Sequence, residues 1–185
     1  MTTRAAFRLH VLRGVNEPIK SEIVSKPDRK ALPRYSSYAH SAVFAEVRLD
    51  EELGMLRVVR VVSAVAAGRI LNPKTARSQI MGAVVGGIGM ALHEETVIDH
   101  RYGCFINHNF AEYHVPVNAD IHDIDVIFVE EREPHLNPLG VKGVGEIGIV
   151  GTAAAVANAA YHATGVRVRD LPITIDKLLG LTPSK

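Results

Sequence analysis

The sequence is poor in the residues that build disulfides and cysteine-bound metal centres. Cys104 is the only cysteine among 185 residues, and tryptophan is absent. An internal disulfide is therefore impossible, and this chain alone cannot supply the cysteine ligands of an iron–sulfur cluster or a structural zinc site. Any redox relay that serves this protein is expected in another chain.

A large excess of charge of one sign is also missing. The 21 Lys and Arg residues nearly cancel the 20 Asp and Glu residues, which leaves a net charge of +1. This balance gives no electrostatic reason to expect nucleic acid or an anionic membrane as a partner, so a small molecule or another protein is expected instead.

The sequence has no apolar run long enough to span a membrane. Its longest run, Ile80 to Leu92, falls short of the roughly 20 residues that a spanning helix needs and contains several glycines. Met1 to Val15 is basic but lacks the apolar core and cleavage site of a secretory signal. A cytoplasmic location is the default expectation.

Local patterns predict a mixed sheet with packed helices, in the α/β or α+β class. Ser41 to Asp50 alternates with period two, and a turn then leads into the valine-rich stretch Met55 to Val65, so these residues predict a β-hairpin. The β-branched stretch Ile124 to Glu130 predicts a further strand. With 47% hydrophobic residues, the chain is expected to form one compact domain.

Three helices are predicted after the hairpin. Asn72 followed by Pro73 is typical of a helix start, and the helix is expected to run from Lys74 to about Glu95. An alanine-rich helix is predicted from Ile147 to Ala163, and a short last one from Pro172 to Leu179.

Residues 1–34 are expected to form an extension or linker that differs from the domain of residues 35–185. Charges and three prolines interrupt any hydrophobic period there. A short helix followed by an extended linker is the prediction for this part.

Four glycines lie inside the first predicted helix, where each costs about 1 kcal/mol relative to alanine. Two explanations are open. The glycines allow close packing against a neighbouring helix, or they leave room for a bulky ligand or another backbone. The four are Gly82, Gly86, Gly87 and Gly89.

The segment Gly143 to Gly148 matches the G-x-G-x-x-G pattern of dinucleotide-binding folds, but its context argues against that function. A loop rich in Pro, Asn and Gly precedes it where a strand is required, and Asp170 is poorly placed as the expected acidic residue. What remains is Glu146 at a helix start, where free N–H groups favour an ionised carboxylate. Glu146 is either a base that can accept a proton in catalysis or an ordinary charged residue at the N-terminus of a helix.

The histidines do not form a metal-binding pattern. His93 and Glu94 begin like an H-E-x-x-H helix, but Val97 stands where the second ligand is needed. The other histidines lack ligand spacing, and no G-x-S-x-G motif occurs. A metal site formed by side chains of this chain and a serine hydrolase site are both excluded from the prediction.

Several motifs in order resemble one family over residues 35–179. They resemble the C-terminal part of the molybdopterin-binding subunit of the xanthine dehydrogenase and aldehyde oxidase family, and Ala66 to Pro73 is most similar to bacterial aldehyde oxidoreductases of three-subunit type. The motifs are Gly68 to Pro73, Ser78 to Gly82, Gly87 to Glu95, Asn107 to Tyr113, Gly140 to Gly148 and Asn158 to Pro172.

The resemblance implies a molybdenum-molybdopterin cofactor, expected in the cytosine dinucleotide form. It implies that Glu146 is the general base at a Mo–OH group during oxidation of an aldehyde or N-heterocycle with water as oxygen source. Gln79 would hydrogen-bond the pterin. The remaining implied cofactor-binding residues are Lys142, Gly143, Val144 and Gly145.

Other cofactor-binding loops of that family are absent from this sequence, so two alternatives are open. The chain is one piece of a molybdenum subunit whose remainder is a separate chain, working with iron–sulfur and FAD subunits on a small aldehyde substrate. Alternatively, it is a truncated relative that serves only as an interaction or structural module. Export together with a partner subunit would give a periplasmic location.

Overall fold

The computed structural model describes residues 36–180 and the backbone of two earlier strands. These strands, β1 (Thr3–Arg8) and β2 (Lys20–Ser25), pair antiparallel with each other. The predicted short helix at the start of residues 1–34 is therefore wrong at Thr3–Arg8, and Lys20–Ser25, in the predicted extended linker, is a paired strand. The rest of that prediction lies outside the described residues. The pairing supplies backbone hydrogen bonds from a distant segment, which local helix propensity does not count.

The described part of the chain continues with short loops between strands and helices. In chain order the elements are β3 His40–Asp50, β4 Met55–Ala66, α1 Pro73–Leu92, β5 Ile98–Asp99, β6 Cys104–Phe105, a 3-10 helix Asn118–Asp120, β7 Asp123–Phe128, α2 Ile147–Val150, α3 Thr152–Thr164 and α4 Ile175–Leu178.

A three-stranded mixed sheet in the order β3-β4-β7 forms the centre of the fold. Strands β3 and β4 form the predicted antiparallel hairpin, with a register shift at Glu46 and Val47, whereas β4 and β7 run parallel. The predicted strand at 124–130 is confirmed, although it ends at Phe128. Sheet and helices together confirm the predicted mixed fold class.

Helices α1 and α3 pack on one face of this sheet and enclose the core. The residues at its centre are fully or almost fully buried, and each contributes about 1.5–3 kcal/mol by leaving water. They include Val61, Val65, Ile80, Val84 and Val156.

Helix α1 begins as predicted. Oδ1 of Asn72 accepts hydrogen bonds from the N–H groups of Lys74 at 3.1 Å and Thr75 at 3.3 Å. Because this cap satisfies two N–H groups that have no partner within the helix, it fixes the first turn. The helix ends at Leu92, three residues before the predicted Glu95.

The four glycines of α1 divide between the two explanations. A Cβ atom would meet Ile149 at Gly86, Thr152 at Gly87, and both Glu94 and Pro116 at Gly89, so these three allow close packing. A Cβ atom at Gly82 would meet nothing within 4 Å. Gly82 is exposed and leaves an open surface on the helix.

The alanine-rich stretch forms two helices instead of the single predicted one. Helix α2 stops at Val150, and α3 starts at Thr152 after Gly151. Gly165 ends α3 with φ +73°, the left-handed conformation typical of a helix end. The last helix begins at Ile175, later than predicted. No helix in residues 36–180 has both the length and the apolarity needed to cross a bilayer.

Candidate functional site

The loop of residues 140–146 is fastened to the segment that precedes α1. Gly68 and Val141 form a β-bridge, and the N–H of Arg69 donates to the carbonyl of Gly140 at 2.7 Å. The N–H of Lys142 donates to the carbonyl of Ala67 at 3.1 Å. These bonds bring two motifs together that are about seventy positions apart in the printed sequence.

Gly68 is essential to this contact. Its φ of +65° is a conformation that side chains rarely adopt, and a Cβ atom there would collide with the carbonyl of Gly140. Only glycine allows the two backbone segments to approach so closely.

A cluster of three charged residues, Lys142, Glu131 and Glu133, stabilises the contact between these two segments. Nζ of Lys142 forms a short ion pair with Glu131, lies 3.5 Å from Oε2 of Glu133, and donates to the carbonyl of Tyr38 at 2.9 Å. The Lys142 side chain is only 6% exposed. Glu131 also accepts a hydrogen bond from the N–H of Gly68 at 2.7 Å. The cluster therefore connects three segments: the residues that follow β7, the segment that precedes α1 and the loop of residues 140–146.

The charges in the cluster stabilise one another. The Lys142 ammonium and the Gly68 N–H hold the pKa of Glu131 below its ordinary 4.5, and Glu131 raises the pKa of Lys142 above its ordinary 10.5. The pKa of Glu133 is also lowered, mainly by the N–H of His135. All three groups are charged at neutral pH, which strengthens the hydrogen bonds between them.

This cluster bears on the predicted role of Lys142. Its ammonium group already has two carboxylates and a carbonyl as partners. Any contact of this residue with a ligand would therefore come from its backbone or from the stem of its side chain.

A cavity of about 310 Å³ lies between the start of α1 and this loop. It brings together three of the predicted site residues, Gln79, Lys142 and Val144. Gln79 is exposed on the second turn of α1, and the structure gives its amide no hydrogen-bond partner among residues 36–180. The remaining lining residues are Arg69, Ile70, Leu71, Asn72, Thr75, Ala76 and Val141.

Gly143 and Gly145 do not line the cavity, but they flank Val144 and are exposed. A Cβ atom at either glycine would meet nothing within 4 Å. In the described part of the chain, no hydrogen bond leaves the backbone N–H groups of residues 143–146. A run of four unpaired donors is available to a ligand with acceptor atoms.

Glu146 stands at the start of α2, as predicted, and its side chain is exposed. Its carboxylate does not cap the helix, and its carbonyl accepts from the N–H of Ile149 at 3.1 Å. Gly148 anchors the turn, because it packs against the carbonyl of Ile80 on α1 so closely that a Cβ atom would lie 2.6 Å away. The carboxylate is thus presented to solvent from a fixed backbone.

Sequence reasoning missed Glu131 and Glu133. They belong to the charged run Glu130 to Glu133, a pattern typical of a solvated surface. Only the parallel pairing of β4 with β7 brings them to Lys142, and no local pattern signals such a long-range contact.

No three His, Cys, Asp or Glu side chains come together as possible metal ligands within residues 36–180. The polar residues that line the cavity include Arg69, Thr75 and Gln79, whose side chains carry N–H and O–H donors that suit the hydrogen-bonding edge of an organic cofactor. A metal at this site would need ligands from such a cofactor.

Comparison with known proteins agrees with the predicted resemblance. The molybdopterin cofactor-binding domain family matches residues 14–122. The chain is 52% identical to the aldehyde oxidoreductase molybdenum-binding subunit PaoC of Escherichia coli K12 over 149 residues, 80% of this chain and 20% of that protein. It is 36% identical to the xanthine dehydrogenase molybdenum-binding subunit of Escherichia coli O157:H7, over 76% of this chain and 18% of that protein.

A solved structure shares the fold. The aldehyde oxidoreductase of Desulfovibrio desulfuricans superposes with a TM-score of 0.68 and 30% identity, over 78% of this chain and 16% of that one. The chain thus spans about a fifth of the length of the curated relatives it matches. Because the family model covers residues 14–122, more than half of the chain, this chain belongs to the molybdopterin cofactor-binding domain family.

Proposed function

We propose that this chain supplies part of the cofactor-binding domain of a molybdenum hydroxylase. The enzyme would oxidise aldehydes or N-heterocycles with water as the source of oxygen. The observation that carries the proposal is one cavity at which Gln79 and Val144 meet, with Glu146 two residues further along the same loop. Names of the relatives, which include an aldehyde oxidoreductase and a xanthine dehydrogenase subunit, support the choice of substrates.

The residues around the cavity fit an organic cofactor with several donor and acceptor atoms. The Gln79 amide can both donate and accept, and the N–H groups of residues 143–146 can donate to oxygen or nitrogen acceptors. Gly82 lies one helical turn after Gln79 on the same face and leaves that surface flat. We assign Gln79 and the backbone of Gly143, Val144 and Gly145 to binding the pterin.

Glu146 is the base in this proposal. Molybdenum-molybdopterin, when bound, would supply the two-electron oxidation, and electrons would leave through iron–sulfur and FAD groups of partner subunits. The task of Glu146 is to accept a proton at its carboxylate. Its exposure, its lack of a described hydrogen-bond partner and the fixed turn beneath it suit that task.

Glu146→Gln in the assembled enzyme tests the proposal, because it keeps the size and polarity of the side chain but removes the base. Turnover of an aldehyde with an artificial electron acceptor should fall by about 10²–10⁴-fold, the usual contribution of base catalysis. Molybdenum content, measured by elemental analysis, should stay at the wild-type level.

Glu52→Gln is a matched control, since Glu52 is exposed in the turn between β3 and β4, away from the cavity. It should leave turnover unchanged. If Glu146→Gln at equal molybdenum content stayed within a few-fold of wild type, Glu146 would be an ordinary helix-start charge and the catalytic assignment would fail.

A further inference from the structure

The sheet has a face that none of the described helices covers. Helices α1 and α3 pack against the residues of β3 and β4 that belong to the core, such as Val43 and Val61. The alternate residues point the other way. Phe44 pairs with Val62 on this open face and is 66% exposed.

The open face divides into two halves. One half is charged and exposed to solvent. Its side chains form ion pairs across the strands, such as Arg60 with Asp123 at 3.3 Å. The charged half consists of Glu46, Arg48, Arg57, Arg60, Asp123 and Asp125.

The other half is apolar, and Asp125, which pairs with Val62 across β4 and β7, lies at its border. It comprises five residues that are neighbours across three strands: Ala42, Phe44, Val62, Ala64 and Ile127. Phe44 and Ile127, its large members, are 66% and 47% exposed. An exposed apolar surface on an otherwise charged sheet face is typical of a contact with another protein.

The apolar half lies at the end of the sheet that carries the candidate site. Just before β3, the Tyr38 carbonyl accepts a hydrogen bond from Lys142. Just after β4, the N–H of Gly68 donates to Glu131, and Gly68 forms a β-bridge with Val141. The apolar half and the cavity thus lie at the same end of the sheet, with α1 and the cavity on the other face.

The sheet has a covering layer on one face only. Strands β4 and β7 run parallel, whereas β3 and β4 run antiparallel, so the sheet is mixed. Sheets made wholly of parallel strands occur almost only with both faces covered, whereas antiparallel sheets can leave one face to water. The topology therefore permits a second layer on the apolar half but does not require one, and the exposed apolar side chains are the observation that favours it.

We propose that the apolar half is the docking surface for the remainder of a molybdenum-binding subunit, the four-fifths of the relatives that this chain does not match. This inference rests on the proposed function and names its partner. The same partner would cover Phe44 and close the open side of the cavity beside Gln79. A single partner is favoured because both surfaces lie at the end of the sheet where Lys142 donates to the Tyr38 carbonyl.

The test uses the full chain, tagged and co-expressed with PaoC from which the 149-residue matching stretch has been removed. Phe44→Asp places a charge in the apolar half, and Arg48→Asp is the matched control on the same strand and the same face, in the charged half. The wild type and Arg48→Asp should retain the shortened PaoC on the tag. Phe44→Asp should retain at least about tenfold less, and its circular dichroism should match the wild type because Phe44 is exposed.

Three outcomes would overturn the proposal. One is equal retention by Phe44→Asp and the wild type, and another is no retention by the wild type. The third is a wild-type dimer in light scattering that Phe44→Asp dissociates, without capture of the shortened PaoC, since the occupant would then be a second copy. Retention without molybdenum in the captured complex would leave the docking intact and count against the proposed function instead.

Discussion

Gln79, the only glutamine in the sequence, presents at the cavity an amide that has no hydrogen-bond partner in residues 36–180. If it positions the pterin, Gln79→Ala should weaken cofactor retention more than chemistry. We expect molybdenum per assembled enzyme to fall about tenfold, which is the loss of one or two hydrogen bonds, while turnover per molybdenum stays within about twofold.

The neighbouring Ser78→Ala is the control for this prediction, because Ser78 is also exposed but does not line the cavity. Molybdenum analysis and activity on the same samples separate the two effects. A variant with full molybdenum content and reduced turnover would mean that Gln79 acts in the chemistry.

Lys142 is expected to act on stability. Lys142→Met would leave Glu131 and Glu133 close together without their cation. The loss of charged hydrogen bonds should lower the free energy of unfolding at pH 7 by about 2 kcal/mol. Urea unfolding of the chain measures this, and Arg48→Met, at an exposed cation on the charged half of the sheet face, should change it little.

The effect of Lys142→Met should depend on pH in a defined direction. Lowered carboxyl pKa values contribute stability that is present above 4.5 and is lost as pH falls through the lower folded values. The raised pKa of Lys142 contributes stability that is present below 10.5 and is lost at still higher pH. The difference between wild type and variant should thus be constant from about pH 5 to 10 and shrink below pH 4.5. A difference that did not change on acidification would contradict the ion-pair account.

At the scale of single elements, two glycines of α1 give opposite expectations for the same substitution. Gly87→Ala places a Cβ 2.5 Å from Thr152 of α3 and should destabilise the chain by about 1–3 kcal/mol through overpacking. Gly82→Ala meets nothing within 4 Å and should stabilise it by up to about 1 kcal/mol through helix propensity. Urea unfolding measures the free energy of unfolding of both variants. Stabilisation by both substitutions would contradict the close packing of α1 against Thr152 of α3.

Elements with strong local signals were predictable. The hairpin follows from period-two alternation, and α1 follows from the Asn72 cap and Pro73. The break at Gly151 and the strands β1 and β2 were not predicted, since packing and distant pairing decide them.

The candidate site was predictable in part. Sequence motifs identified Gln79 and the loop of residues 142–146, but nothing local indicates that the β-bridge between Gly68 and Val141 brings them to one cavity. The ion cluster depends on charges from three distant segments, and its assembly follows from the sheet topology. Functional roles of these residues stay predictions.

At the scale of the whole molecule, the chain presents a cavity that is open on one side. Purified alone, it should hold little molybdenum, because under the proposed function Gln79 and four backbone N–H groups would contact only one side of the cofactor. Elemental analysis of the chain expressed alone tests this. Near-stoichiometric molybdenum would show that the chain binds the cofactor without help.

The extent of the domain is also a question at this scale. The sequence motifs begin at Tyr35, which led to the predicted division between residues 1–34 and 35–185. The family match begins at residue 14, inside the first of these segments. The division itself stays a prediction.

The parallel pairing of β4 with β7 also has a consequence for how the chain folds during synthesis. Strand β4 meets β3 across a tight turn, so the hairpin can close early, but β7 reaches β4 only after α1 and residues 93–122 have been made. Closing so long a loop is slow compared with closing a hairpin. Until β7 arrives, the valines of β4 have a partner strand on one edge alone, and an unpaired apolar edge of this kind favours aggregation during that interval.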